Sequence, residues 1–232
     1  YAQSDVFGPI SKKSDLSTAW ETRVENQYKC TVLRQGCSIY PLPYGQRNFG
    51  DFQQGFGTKS TGGYFPIYGD SHYEDAHGSI LQYARSGDRR WFDFAAPFAR
   101  HHYDLDVMHT QNPVRYSGFP AGMIHWHGTS EHEGVNIEMG HVVPGGLDDY
   151  FYLTGDPRAL DVLREQGNWA EKWARNGRSR IAPEKDTDKV GLEEYERVAA
   201  WPLYTIMKAY ETTADPKYFE GASILVKNNV DW

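Results

Sequence analysis

The sequence predicts a mainly α-helical fold of repeated helical hairpins, forming part of an (α/α)6 toroid, with an irregular N-terminal segment. Three blocks share one plan: LQYARSGDRRWFDFAAPFARHHYD (81–104), DYFYLTGDPRALDVLREQGNWAEKW (149–173) and KAYETTADPKYFEGASILVKNNVDW (208–232). In each block an aromatic residue stands five positions before an aspartate, and an apolar pair follows the aspartate. Helical units that repeat in this way are typical of architectures whose core is shared between neighbouring units.

Each block is predicted to consist of helix A, a tight turn and helix B. The aspartate of the turn is expected to cap helix B by accepting hydrogen bonds from its first free amides. The three capping positions are Asp88, Asp156 and Asp215. Pro157 and Pro216 suit the first position of helix B, and Gly87 and Gly155 suit the left-handed residue that ends helix A.

The chain divides into an N-terminal segment, residues 1–70, and a helical-hairpin domain, residues 71–232. The N-terminal segment is expected to be mostly irregular, with one helix inside residues 15–35, where Leu16, Ala19, Trp20, Val24 and Tyr28 have helical spacing. Three hairpins would make half of a six-hairpin ring. We therefore expect a fragment of a longer protein, completed by missing domains or by association with further chains.

Composition excludes some classes of partner. There is no apolar run of about 18 residues, so we expect no membrane span. The net charge of −7 argues against nucleic-acid binding, which needs a basic surface. The 16 tyrosines and 7 tryptophans suit carbohydrate binding, although they also suit an aromatic core. Cys30 and Cys37 could form a local disulfide or remain free thiols.

All nine histidines lie between His72 and His141, and GMIHWHGTSEHEG (122–134) holds three of them. In antiparallel hairpins the start of helix A, the end of helix B and the B-to-A connection share one rim. Eight histidines are assigned to that rim, and only His77 to the inside of a helix. The long connection there is expected to be functional. The predicted substrate-binding residues are Arg47, Asp51, His72, His102, Arg115, Trp126, Glu131 and His132.

Three segments carry a family resemblance: YGQRNFGDF (44–52), HYEDAHGSILQYARSGDRRWFDFAAPFARHHYDLDVMH (72–109) and GHVVPGGLDDYFYLTGDP (140–157). They resemble the rhamnogalacturonan exolyase-like (YetA-like) proteins. The resemblance implies an (α/α)6 catalytic toroid, polysaccharide lyase activity, a preceding β-rich domain and a following β-sandwich. We accordingly expect a poly- or oligosaccharide substrate and a secreted or periplasmic location.

A lyase that cleaves by β-elimination needs a base, an acid and a group that binds the uronate carboxylate. The candidate bases are His141, His125 and His127, the candidate acid is Tyr73, and Arg47 or Arg115 would bind the carboxylate. His141 is expected to open a helix whose positive end disfavours the imidazolium. The VVPGG turn behind it is expected to leave room for a sugar.

Three alternatives stay open at this point. A glycoside hydrolase would pair Glu131 or Glu133 with Asp51, Asp75 or Asp149. A divalent metal could be bound by His125, His127 and Glu131, which resemble the cupin fragment HxHxxxE, although no cofactor is certain. A non-catalytic carbohydrate-binding or scaffold fragment is the third alternative, and a native mass well above that of this chain would favour the enzyme.

Overall fold

The computed structural model describes residues 1, 4, 6–13, 18–31, 53–54, 67–68, 74–109, 121–124, 142–176 and 196–230. Over these residues the fold is mainly α-helical, with seven α-helices, one π-helical turn and one short two-stranded ladder. The predicted helical class is therefore confirmed. Among the described helices, none is long and apolar enough to cross a membrane.

The elements follow one another in pairs. The α-helices are α1 (Thr18–Thr31), α2 (Asp75–Ser86), α3 (Arg89–His101), α4 (Leu147–Thr154), α5 (Pro157–Asn176), α6 (Glu196–Thr213) and α7 (Pro216–Val230). The π-helical turn is His102–Asp106, and β1 (Gln53–Gln54) pairs antiparallel with β2 (Ile67–Tyr68). Helices α2–α3, α4–α5 and α6–α7 form the three predicted hairpins.

The tight turns of the hairpins have the predicted chemistry. The side chains of Asp88, Asp156 and Asp215 accept hydrogen bonds from the backbone two residues later, at 3.1, 3.0 and 3.1 Å. Gly87 and Gly155 are left-handed, with φ of 73° and 69°. The three predicted caps and both predicted glycine turns are confirmed.

A hydroxyl residue completes each turn. Ser86, Thr154 and Thr213 each donate a side-chain hydrogen bond to the carbonyl four residues earlier. Each hydroxyl oxygen also accepts the backbone N–H of the capping aspartate. The position between hydroxyl and aspartate is left-handed even in the third turn, where Ala214 has φ of 55°. The three turns therefore share one hydrogen-bond pattern.

Helix α5 is the centre of the second and third hairpins, since it packs against α4, α6 and α7. Leu163 of α5, Ile206 of α6 and Tyr218 of α7 are fully buried in one core. Gly167 allows the close approach of α6, because a Cβ there would lie 2.5 Å from that of Ala209. Close packing of this kind makes helix positions interdependent.

Helices α2, α4 and α6 run parallel in a fixed register. Glu74 contacts Gly146 and His77 contacts Asp149, so both pairs are 72 residues apart. Likewise, Lys208 contacts Asp148, and Tyr152 donates to Thr212, 60 residues away. In this register α6 begins roughly three turns before α4. The early turns of α6 therefore extend past the first turn of α4.

The N-terminal helix predicted inside residues 15–35 is present as α1. It lies against the first hairpin, because Arg85 Nη2 is 2.5 Å from Glu21 Oε1 and the rings of Tyr28 and Trp91 are 4.9 Å apart. Only part of the predicted apolar face is buried: Tyr28 is covered, whereas Trp20 is exposed.

The predicted start of α4 was wrong. His141 does not open this helix, which begins at Leu147 with Gly146 as its N-cap residue. A helix cannot continue through residues 144–146, because Pro144 is followed by two left-handed glycines, Gly145 and Gly146. His141 itself lies outside the described residues.

Candidate functional site

The candidate site lies where the first turns of α2 and α4 meet one face of α6. Helix α2 contributes His77, α4 contributes Asp148 and Asp149, and α6 contributes Tyr204 and Lys208. The parallel register of the three helices brings these residues together although they are spread over more than half of the chain. Their contacts form two pairs, His77–Asp149 and Lys208–Asp148, beside the ring of Tyr204.

The first pair is His77 and Asp149. The Nδ1 of His77 forms a short hydrogen bond with Oδ2 of Asp149. The histidine side chain is 25% exposed and the aspartate side chain only 4%. Burial would lower the pKa of His77, but the hydrogen bond and negative charge of Asp149 outweigh it and raise this pKa. No described residue hydrogen-bonds to Nε2, which is the nitrogen left for an external proton.

The second pair is Lys208 and Asp148. The Lys208 Nζ is 3.0 Å from Asp148 Oδ2 and 3.3 Å from Glu211 Oε2. Burial raises the pKa of Asp148, and the neighbouring Asp149 charge adds to it. Burial would lower the pKa of Lys208, yet the charge of Asp148 prevails and raises it. The lysine is therefore charged, and it neutralises the buried carboxylate.

Glu74 lies about one helical turn before these pairs, against the turn that precedes α4. It is buried, and its Oε1 and Oε2 accept the backbone N–H groups of Gly145 and Gly146 at 2.8 and 3.1 Å. Burial raises the pKa of Glu74 to about 8, against the opposing effect of the Gly145 hydrogen bond. A buried carboxyl with this pKa carries a proton at neutral pH, which lowers the negative charge of the cluster.

An aromatic face of α6 borders the site. The ring centroid of Tyr204 lies 6.5 Å from that of His77 and 6.0 Å from that of Trp201. The Lys208 ammonium lies 5.6 Å from the Tyr204 ring centroid. Burial, reinforced by the carboxylates around it, raises the pKa of Tyr204 well above its usual range. Its hydroxyl therefore remains protonated and able to donate.

A second polar cluster lies under the π-helical turn. His101 Nε2 is 3.1 Å from Asp106 Oδ1, and His102 Nδ1 is 3.4 Å from Asp106 Oδ2, with all three side chains buried. Burial opposes ionisation of Asp106, but its interactions with His101 and His102 hold its pKa well below the usual range. The amide of Gln166 contacts His102 and donates to the carbonyl of Val143. This cluster joins α3, α5 and the turn before α4.

A third histidine–carboxylate contact joins the start of the long connection to α5. His109 Nδ1 lies 2.6 Å from Glu165 Oε2, and both side chains are partly exposed. Next to it, Gly122 donates its N–H to the carbonyl of Met108. A Cβ at Gly122 would lie 2.2 Å from the carbonyl oxygen of Glu165. Residues 107–109 and 121–124 of the long connection are thus held together against α5.

Most of the predicted site residues lie outside the described part of the chain. These are His141, His125, His127, Tyr73, Arg47, Asp51, His72, Arg115, Trp126, Glu131 and His132. Glu133, of the hydrolase alternative, lies outside it too. Their roles stay predictions, as does the metal site of His125, His127 and Glu131. Within the described residues, no group of three or more histidines, cysteines and acids could hold a metal ion.

His102 is the one predicted substrate-binding residue that the structure describes. Its ring is fully buried, and a Cβ at Gly145 would lie 2.3 Å from its Cδ2. This packing also corrects the expectation that the VVPGG turn leaves room for a sugar. Gly145 is packed on His102 and Gly146 on the backbone of His77, so protein atoms already fill that space.

His77, Lys208 and Tyr204 were missed as site residues. His77 was assigned to the inside of a helix, although it lies in the first turn of α2, near the rim. One signal could have found it: Glu74-x-x-His77 and Gly146-x-x-Asp149 occupy matching positions of consecutive hairpins. No comparable signal marks Tyr204, because α6 begins before the third repeat block. Lys208 opens that block, but no matching lysine in the first two blocks marks it.

Comparison with known proteins gives no matching family model and no matching curated protein. The function must therefore be argued from the residues of the site.

Proposed function

We propose that this chain is the catalytic part of a polysaccharide lyase, which cleaves a uronate-containing glycan of the rhamnogalacturonan type by β-elimination. The observation that carries the proposal is the hydrogen bond between His77 Nδ1 and Asp149, made by a histidine side chain that is 25% exposed and whose ring lies beside that of Tyr204. A histidine oriented by a carboxylate is suited to accept a proton near neutral pH.

In the proposed reaction, Nε2 of His77 removes the proton on the sugar carbon next to the carboxylate. The electron pair of that C–H bond forms a carbon–carbon double bond, and the bond from the neighbouring carbon to the glycosidic oxygen breaks. Tyr204 donates its hydroxyl proton to the departing oxygen. Asp149 stabilises the imidazolium that forms, and its hydrogen bond keeps the ring oriented.

The charge of the site is compatible with an anionic sugar. Asp149 pairs with His77, Asp148 pairs with Lys208, and Glu74 has a pKa near 8. The buried carboxyls are thus neutralised one by one. In the proposed complex Lys208, which is 19% exposed, attracts the uronate carboxylate and makes the neighbouring proton easier to remove.

Two further features support a glycan substrate. The ring of Tyr204 lies beside His77 and the ring of Trp201 lies beside Tyr204, and ring faces of this kind stack on the CH faces of sugars. The family resemblance noted above implies the same substrate class. The repeated hairpins also support an (α/α)6 toroid, with the first turns of its A helices around the substrate.

The lyase proposal is tested by product chemistry. The chain is incubated with rhamnogalacturonan and, in parallel, with a neutral glycan, and the ultraviolet absorbance of an unsaturated uronate is followed. We expect absorbance to rise with the uronate polymer alone. If reducing ends appear without that absorbance, the reaction is hydrolysis and the lyase proposal is wrong.

A glycoside hydrolase is the second candidate, and the pKa of Asp75 favours it. Burial raises the pKa of Asp75 to about 6, so this carboxyl keeps part of its proton near neutral pH. Glycoside hydrolysis needs one protonated carboxyl and one ionised carboxylate. Asp75 would be the acid and Asp149 the base. Under this mechanism Asp75→Asn abolishes cleavage, whereas His77→Gln retains most of it.

A further inference from the structure

Glu74 has a backbone conformation that a glutamate rarely adopts. Its φ of 60° and ψ of 38° lie in the left-handed region, where side chains crowd the backbone. The residue directly precedes α2, but its side chain makes no capping hydrogen bond to that helix. Both carboxyl oxygens instead accept the N–H groups of Gly145 and Gly146, in the turn that directly precedes α4. The left-handed backbone thus aims the side chain across to α4.

The two glycines that receive Glu74 are required by conformation and by space. Gly145 and Gly146 have φ of 63° and 66°. A Cβ at Gly146 would lie 2.6 Å from the backbone nitrogen of His77, and one at Gly145 would meet the ring of His102. The Gly145–Gly146 turn therefore lies directly against the first turn of α2.

The contact lies one helical turn before the His77–Asp149 pair. His77 follows Glu74 by three residues, and Asp149 follows Gly146 by three residues. Because α2 and α4 run parallel, a shift at Glu74 changes the separation of His77 and Asp149 directly. We propose that Glu74 and the Gly145–Gly146 turn form a clamp that positions Asp149 against His77, which makes Glu74 a positioning residue of the site.

The test removes the clamp without changing any charge. Gly146→Ala adds a methyl group 2.6 Å from the His77 nitrogen, so α4 must move away from α2. Gly155→Ala is the matched control, because Gly155 has φ of 69° and no atom within 4 Å of an added Cβ. Both variants place alanine in the left-handed region, but only one disturbs the clamp.

The readout is the pKa of His77, measured by NMR titration of its ring proton and assigned with His77→Gln. The groups that act on His77 are the carboxyls of Asp149, Glu74 and Asp148, the Tyr204 ring, and Lys208 through Asp148. All of them remain in Gly146→Ala. We expect this pKa to fall in Gly146→Ala, toward its value in Asp149→Asn, and to stay unchanged in Gly155→Ala.

Glu74→Asp repeats the test if Gly146→Ala does not fold. It keeps the carboxyl group but shortens the side chain by one methylene, so the carboxyl no longer reaches both N–H groups, and the His77 pKa should again fall. The clamp is refuted if Asp149→Asn lowers this pKa while both clamp variants leave it unchanged. An equal fall in Gly155→Ala refutes it too, since general destabilisation would then be the cause.

The catalytic consequence of the clamp rests on the proposed function, whereas the titration does not. If the clamp variants lower the His77 pKa and the wild type forms no unsaturated uronate, the clamp stands and the lyase proposal fails. If the wild type is an active lyase and the His77 pKa is unchanged in the clamp variants, the clamp fails alone.

Discussion

The two ends of the hairpins are built on different principles. At the A-to-B turns, three copies of one pattern recur: a hydroxyl residue, a left-handed residue and a capping aspartate. At the opposite end, α2, α4 and α6 begin at different distances from their A-to-B turns, and their first turns differ in sequence. That end collects Glu74, His77, Asp148 and Asp149, which are buried or partly buried.

This difference indicates which end of the hairpins mainly directs folding and which end carries the candidate site. Each hydrogen bond of this pattern joins residues no more than four positions apart, so each hairpin forms its own turn. At the other end, Glu74, Asp149 and Asp148 find their partners 60 to 72 residues away. Burying ionisable groups at that end destabilises the fold relative to an apolar core, and such groups are common at functional sites. Activity should therefore depend on one end and stability on the other.

The largest expected effect is the loss of activity in His77→Gln. We expect kcat to fall by about 10²–10⁴-fold, which is typical for a removed general base. The protein should still fold, because the glutamine amide can donate a hydrogen bond to the buried Asp149 in place of the imidazole. The measurement is the initial rate of unsaturated-uronate formation, with a urea unfolding curve of each variant.

His109→Gln is the matched control, since His109 pairs with Glu165, a carboxylate that is not part of the candidate site. It should keep near wild-type kcat. Equal losses in both variants would mean that histidine–carboxylate pairs matter here for folding alone. Full activity in His77→Gln would return the role of base to His141, His125 or His127.

The second prediction concerns pH and gives the two ends opposite signs. The pKa of Glu74 is raised from 4.5 to about 8, so the folded state binds its proton more tightly than the unfolded state. The stability from this group is present below pH 4.5 and is lost as pH rises through about 8. A raised pKa of His77 acts in the same direction. The lowered pKa values of Asp88 and Asp215 give stability that is lost as pH falls.

Urea unfolding between pH 5 and pH 8.5 measures this linkage. The unfolding free energy of the wild type should decline on the order of a few kcal/mol, because one pKa unit corresponds to about 1.4 kcal/mol. Glu74→Gln should have a shallower decline, whatever its absolute stability. The readout is the slope of the unfolding free energy against pH. The glutamine NH₂ group faces one glycine N–H, which lowers stability equally at every pH and does not by itself alter this slope. An unchanged slope would exclude Glu74 as the source.

The third prediction tests the turns. Asp156 accepts the N–H of Arg158 and the hydroxyl of Tyr103, each at 3.0 Å. Asp156→Ala removes both acceptors and should cost about 0.5–2 kcal/mol for the cap, with a further loss for Tyr103. Asp156→Asn keeps an acceptor oxygen and should cost less. Thermal unfolding measures both variants, and kcat should remain near wild type. A loss of activity at unchanged stability would contradict the division between the two ends.

The sequence predicts the turns well because their causes are local. Aspartate caps and left-handed glycines act within a few residues, so the pattern around Asp88, Asp156 and Asp215 specifies the three hairpins. The N-terminal helix follows from spacing in the same way. The position of the repeated turns and the class of the fold could therefore be predicted without coordinates.

The site could not be predicted in this way, because its contacts depend on register between hairpins. The start of α4 was placed too early, since the pair of left-handed glycines was interpreted as open space and not as the partner of Glu74. Tyr204 reaches the site because α6 begins earlier than α4 in this register, whereas Lys208 lies level with Asp148 of α4. Helix length and register are set by packing across the whole core, which a local pattern does not contain.

The smallest effect, and the only stabilising one, is predicted for Ala214→Gly. Ala214 occupies the position that glycine holds in the first two turns, with φ of 55°. A left-handed alanine costs about 1–2 kcal/mol, whereas glycine adopts this conformation freely but loses about 0.5–1 kcal/mol through its more flexible unfolded chain. The net gain should be roughly 0.5–1 kcal/mol in the unfolding free energy. Gly87→Ala is the converse variant: it has open space around the added Cβ and should lose a similar amount. If Ala214→Gly is destabilising, the third turn does not follow the pattern of the other two.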